Sequence, residues 1–130
     1  MKNTFIIFAL VVSALLVANC VFANNVSVTN IALTGQDVKD ASLSKHFTMV
    51  QFDIGWKNSW RDLMNYDAAW VFVKFSTDDG DTWGHATLST SGHVGPPACT
   101  ISAGSDGKGV FIYSSGNANG PVDYKGIKLQ

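Results

Sequence analysis

One segment of the chain alternates regularly between apolar and polar side chains. The segment of residues 47–56 alternates over its last seven positions, 50–56, where every second residue is apolar and the positions between them carry polar residues or glycine. This period of two predicts a half-buried β-strand. The apolar positions are Val50, Phe52, Ile54 and Trp56. Residues 68–75 are apolar at both parities, which predicts a strand buried on both faces near the centre of a sheet.

Shorter strand-like runs fill most of the remaining sequence. Glycine, proline and asparagine separate them, and no apolar period of 3.6 residues occurs after the first 23 residues. The runs cover residues 26–33, 83–89, 99–102, 110–113 and 122–130. Together with the two segments above, they predict an all-β fold, an antiparallel β-sandwich of about six or seven short strands. Residues 24–130 are long enough for one such domain.

The first 23 residues have the pattern of a secretory signal peptide. Lys2 precedes an apolar run over residues 5–17, and small or short residues lead to Ala23. Cleavage after Ala23 would place the protein outside the cytoplasm, either secreted or at the periplasm or cell surface. The apolar run is shorter than the roughly 20 residues that span a bilayer, so no stable membrane span is expected. Lipid anchoring at Cys20 stays an alternative.

Charge and cysteine content narrow the functional classes. Without Lys2, the chain has eight basic and ten acidic residues, and every acidic residue is Asp. This balance argues against nucleic-acid binding, which needs a basic surface. Cys99 is the one cysteine of the predicted mature chain, so an internal disulfide is excluded. Its thiol is free, bridged to another molecule, or buried as a small hydrophobic group.

Residues 76–83 match the pattern S-x-D-x-G-x-T-W and resemble the Asp-box hairpin of sialidases. We expect a structural turn in which Asp78 accepts amide hydrogen bonds, Gly80 supplies a positive φ and Trp83 covers the hairpin. Calcium binding by Asp78, Asp79 and Asp81 is the alternative. A single copy does not make a propeller, so the resemblance does not imply sialidase activity.

The loop of residues 57–67 is polar and aromatic, and it is the candidate binding site. Trp60 and Tyr66 have flat rings suited to stacking on a sugar or peptide, and charged side chains beside them can form hydrogen bonds. These charged residues are Arg61, Asp62 and Asp67. The alternative is structural: Trp60 caps one end of the sandwich and Arg61 pairs with an Asp.

The sequence predicts no catalytic residue, metal site or cofactor. His46, His85, His93 and Cys99 lack any recognised ligand spacing. A small hydrolase or metal enzyme built on Cys99, His85 and His93 stays open only if these side chains converge.

Several longer segments resemble the N-terminal β domain of exported bacterial formylglycine-generating enzymes of the sulfatase-modifying-factor type. They read VQFDIGW (50–56), NSWR (58–61), NYDAAWVFVKF (65–75), HATL (85–88) and GKGVFIY (107–113). The resemblance implies a non-catalytic accessory or interaction module in front of a catalytic domain, and it assigns no catalytic residue. The chain is then either the leading part of a longer protein or a free-standing copy.

Two other functions remain open from the sequence. The domain could be a carbohydrate-binding module that uses Trp60 and Tyr66, or an assembly subunit whose final strand, residues 122–130, pairs with a neighbour. The partner is accordingly a glycan or a protein, and the oligomeric state is open.

Overall fold

The computed structural model of the chain describes residues 24–130. The predicted signal peptide, residues 1–23, and the lipidation alternative at Cys20 lie outside the described residues. Eight strands and one 3₁₀ turn at Leu43–Lys45 make up the regular structure of the described part. The strands are β1 Ser27–Asp37, β2 Phe47–Arg61, β3 Ala69–Val71, β4 Lys74–Phe75, β5 Gly84–His85, β6 Cys99–Ala103, β7 Val110–Ser114 and β8 Ala118–Leu129.

The strands form three antiparallel sheets. The first sheet has the order β1-β2-β8, the second has the order β3-β7-β6, and β4 pairs with β5 in a two-stranded sheet. The predicted all-β antiparallel class is confirmed, and the arrangement is sandwich-like. Its strands number eight, because the apolar run at 68–75 divides into β3 and β4.

The core lies between the first and second sheets. The alternating face of β2 contributes Phe52, Ile54 and Trp56, as its sequence pattern predicts. The other core residues come from β8 of the same sheet and from β7 of the second sheet, and burying these side chains supplies most of the stabilisation of a small domain. They are Val110, Ile112, Tyr124, Ile127 and Leu129, with Leu88 from the loop after β5.

The prediction of a central, doubly buried strand at 68–75 is wrong. β3 lies at the edge of the second sheet, and β7 occupies its centre. Val71 packs against the core, whereas Trp70 and Phe72 are exposed. The segment is apolar at both parities because its exposed face carries the aromatic residues Trp70 and Phe72. In the sequence alone, such a face looks like a second buried face.

A bulge near the end of β2 sets the direction of the candidate site. Pairing with β8 shifts between Trp56 and Ser59, and Asn58 adopts a positive φ of 58°. Ser59 follows Trp56 by three positions, and in a regular strand this spacing would place the two side chains on opposite faces. The extra residue of the bulge puts Ser59 on the same buried side as Trp56. The last two residues of β2, Trp60 and Arg61, therefore project in opposite directions.

Within the described residues, the structure contains no helix with the length and apolar character required to cross a membrane.

Candidate functional site

The loop of residues 57–67 is a hairpin that extends β2. Arg61 and Tyr66 face each other across an antiparallel bridge, and the amide of Asp62 donates to the carbonyl of Asn65. The Asp62 carboxylate accepts hydrogen bonds from the amides of Met64, at 2.7 Å, and Asn65, at 2.6 Å. Both bonds lower the pKa of Asp62, and the bond from Asn65 has the larger effect. Asp62 is thus a turn-forming residue.

Asp67 joins the hairpin to the core. One of its carboxylate oxygens accepts from the indole Nε1 of Trp56 at 2.7 Å. The other accepts from the hydroxyl of Ser59 at 2.9 Å and from the amide of Trp60 at 3.1 Å. Trp56 and Ser59 are both buried, so the carboxylate satisfies polar groups that have left water. Its oxygens are occupied by structural hydrogen bonds.

Arg61 and Tyr66 form a cluster with Tyr113 of β7. The rings of Tyr66 and Tyr113 stack with their centroids 4.5 Å apart and their planes inclined by 27°. The Arg61 guanidinium lies 4.8 Å from the Tyr66 centroid and 5.3 Å from the Tyr113 centroid, within the range of cation–π attraction. Its Nη1 donates to the carbonyl of Ser114 at 2.6 Å. Among the described residues, Arg61 forms no ion pair with an Asp.

Trp60 lies apart from this cluster. It projects away from Arg61, and no ring contact joins it to Tyr66 within the described part of the chain. Trp60 and Tyr66 are each 46% exposed, so neither ring is buried as an end cap of the sandwich would be. The structure brings together Arg61 and Tyr66 of the five predicted binding residues. Asp62 and Asp67 support the hairpin, and Trp60 faces another direction.

The Tyr66–Tyr113 pair continues into a larger aromatic surface on the second sheet. Phe111 and Tyr113 are two residues apart on β7 and share its outer face, because Val110, Ile112 and Ser114 point into the core. Trp70 of β3 stands opposite Phe111, and the two rings are 4.6 Å apart. We name this surface, composed of Tyr66, Trp70, Phe111 and Tyr113, the aromatic face.

Two backbone and side-chain features complete the aromatic face. Gly109 leaves room for the Trp70 ring, since a Cβ atom there would lie 2.7 Å from the carbonyl of Val71 and overlap the indole. On β6, Thr100 pairs with Tyr113 and Ser102 pairs with Phe111. Paired residues share a face of the sheet, so two hydroxyl groups border the rings.

Loop composition drew attention to Trp60 and Tyr66, whereas Trp70, Phe111 and Tyr113 belong to strands and were missed. The signal that could have found them is the parity of β7, where Phe111 and Tyr113 alternate with two aliphatic residues. Such a pattern indicates two unlike faces, one aliphatic and one aromatic.

Residues 76–83 form a turn between β4 and β5. The Asp78 carboxylate accepts from the Thr82 hydroxyl at 2.6 Å, the Ser76 hydroxyl at 2.7 Å and the Thr82 amide at 2.9 Å. These bonds lower the pKa of Asp78 to about 2. Gly80 has a φ of 99°, and the Trp83 indole donates to its carbonyl at 3.0 Å. The Asp78 oxygens are thereby committed to the turn.

Cys99, His85 and His93 have different contact partners. Burial raises the pKa of the Cys99 thiol to about 11, which disfavours the reactive thiolate. His85 packs against Phe72, with the ring centroids 5.4 Å apart. His93 accepts from the Gln130 amide through Nδ1, and burial lowers its pKa. Across residues 24–130, no three His, Cys, Asp or Glu side chains gather as a metal site would require.

The fold and this surface define a sandwich-like all-β domain with an exposed aromatic face. Comparisons of the chain with models of known protein families, with curated proteins and with solved structures found no match.

Proposed function

We propose that this domain is a non-catalytic accessory module of an exported protein and that it binds its partner through the aromatic face. The observation that carries the proposal is the aromatic face itself, in which two ring pairs, Tyr66–Tyr113 and Trp70–Phe111, lie on one side of a sheet. Tyr66, Trp70 and Phe111 are each close to half exposed. Contiguous exposed apolar patches of this kind mark interaction sites on soluble proteins. Tyrosine, tryptophan and arginine are also the residues that dominate binding energy at interfaces.

The architecture of the aromatic face suits recognition. Three of its rings, Trp70, Phe111 and Tyr113, rest on a three-stranded sheet, and Tyr66 is held by stacking on Tyr113 and by the Arg61 guanidinium. A surface that is fixed before binding loses little conformational entropy when a ligand arrives. The resemblance to the N-terminal domain of formylglycine-generating enzymes supplies the proposed context, which is an exported enzyme whose catalytic domain carries the chemistry.

The test measures binding to a purified catalytic domain of the formylglycine-generating type. Biolayer interferometry would compare the wild-type chain with the double variant Trp70→Ala/Phe111→Ala. The matched control is Trp83→Ala, which removes an exposed tryptophan outside the aromatic face. We expect the double variant to weaken binding by about tenfold or more and the control to change it little. Equal binding by all three proteins would refute the role of the aromatic face.

A carbohydrate ligand is the second candidate, favoured by the hydroxyl groups of Thr100 and Ser102 beside the rings. Sugar rings present apolar faces that stack on aromatic side chains and hydroxyl edges that exchange hydrogen bonds. A glycan microarray followed by calorimetry would test this class. We expect Tyr66→Ala to abolish binding and Trp60→Ala to leave it intact, because Trp60 is outside the aromatic face. Loss in Trp60→Ala alone would instead favour the loop predicted from sequence.

A further inference from the structure

The outer strand of the first sheet has an unusual edge. β1 pairs with β2 on one side, and among residues 24–130 no strand pairs with its other side. The chain carries no charged residue and no proline from residue 26 to residue 36. Its large apolar side chains are exposed, with Ile31 at 68% and Leu33 at 74%. Long, uncharged, apolar edge strands readily pair with a strand of another chain.

The apolar side chains of β1 face the interior of the sandwich without being covered. Val28 pairs with Ile54 and Leu33 pairs with Val50, so each shares the face of a residue in or against the core. The second sheet ends at β3 and leaves a cleft of about 250 Å³ along this side. Val28, Ile31, Val50 and Phe52 line one wall of the cleft, and residues 71–74 line the other.

The opposite edge of the same sheet is protected. β8 contains Pro121 and Lys125, and the Lys125 ammonium pairs with Asp123 at 2.8 Å. Val94 also bridges to Lys128 near the end of β8. Proline, lysine and covering loops are the usual devices that prevent edge pairing. β1 has two bulges, at residues 30–31 and 35–36, which are also devices against edge pairing. The residues between these bulges are uncharged.

We propose that β1 pairs antiparallel with β1 of a second copy of this chain, across a two-fold axis. A strand is the occupant that satisfies the free amides and carbonyls of an edge, and antiparallel pairing is the mode used throughout this fold. A two-fold axis places like against like, which the uncharged residues 26–36 accept without repulsion. Val28 and Leu33 of each copy would then help to cover the apolar cleft beside β3 of the other copy. We therefore assign the assembly edge to β1, in place of the final strand considered from the sequence.

The first test is sedimentation equilibrium over a wide concentration range, on protein expressed from the full sequence and with its N-terminus identified by mass spectrometry. We expect a monomer–dimer equilibrium. Leu33→Lys and Ile31→Lys should each raise the dimer dissociation constant about tenfold or more, because an inward-pointing charge blocks edge pairing. The matched control is Leu63→Lys, in which the native side chain is 94% exposed in the hairpin turn. It should leave the constant unchanged, and circular dichroism would verify that each variant folds.

Hydrogen exchange provides the second test. Amides of β1 should become protected as concentration rises, while those of β8 should not change. A monomer at every concentration would overturn the proposal. A strand of a different protein would then be the candidate partner of the β1 edge. A monomer with protected β1 amides in protein that retains residues 1–23 would overturn it in favour of the chain's own N-terminal segment. A dimer insensitive to both lysine variants would also overturn it. These outcomes do not bear on the aromatic face, which lies on the other sheet.

Discussion

Replacing Asp67 with alanine should destabilise the domain strongly. The substitution removes the acceptor for the Trp56 indole and the Ser59 hydroxyl, both buried, and for the Trp60 amide. A buried donor left without a partner costs about 1–3 kcal/mol, and the Ser59 hydroxyl can rotate toward another acceptor. We therefore expect a loss of about 2–4 kcal/mol, a large part of the roughly 5–15 kcal/mol typical of a domain.

Urea unfolding monitored by tryptophan fluorescence and circular dichroism measures this loss. Asp67→Asn is the matched control, because its amide oxygen can still accept a hydrogen bond, and it should lose about half as much. A double-mutant cycle with Trp56→Phe isolates the Trp56–Asp67 bond, since Asp67→Ala should be less harmful once the indole donor is gone. A loss below about 0.5 kcal/mol, or no coupling in the cycle, would refute the structural role of Asp67. Its carboxylate would then again be a candidate ligand-binding group.

Three further outcomes follow from the core and from the pKa shifts. Ile112→Ala should lower the free energy of unfolding by about 2–5 kcal/mol in urea titrations, because Ile112 is fully buried in the core, and unchanged stability would contradict that placement. Hydrogen bonds, first from the Thr82 side chain, depress the pKa of Asp78 from 3.8 to about 2. Its contribution to the turn should thus be complete above about pH 4 and be lost as the pH falls toward 2, a change visible in the Thr82 amide resonance and absent in Asp78→Asn. With its pKa raised to about 11, Cys99 should react with iodoacetamide at pH 8 much more slowly in the folded protein than in urea, and equal rates by mass spectrometry would contradict its burial.

The sequence predicted the parts of the fold that depend on local patterns. The alternation in β2 identified the buried face of that strand, and glycine-rich segments marked the loops between the later strands. The apolar run at 68–75 misled the assignment of sheet order, because exposed Trp70 and Phe72 look in sequence like residues buried on a second face. Exposure depends on whether another sheet covers a face, and that information is not local.

The candidate site was predictable only in part for a similar reason. Residue type and loop position singled out Arg61 and Tyr66, which do lie together. The same criteria also selected Asp67, whose carboxylate is used by Trp56 and Ser59. Recognition of the aromatic face needs the pairing of β3 with β7, which joins residues far apart in the chain.

Chemical-shift mapping by NMR tests the central claim most directly, since it reports where a partner binds without assuming which side chains matter. The isotope-labelled protein would be titrated with the formylglycine-generating-type catalytic domain and with the oligosaccharides that bind in the microarray. We predict that the largest changes fall on β7, on β6 and on the Trp70 and Tyr66 side chains, while β8 is unaffected. Changes centred on Trp60 or on the 76–83 turn, with β7 silent, would contradict it.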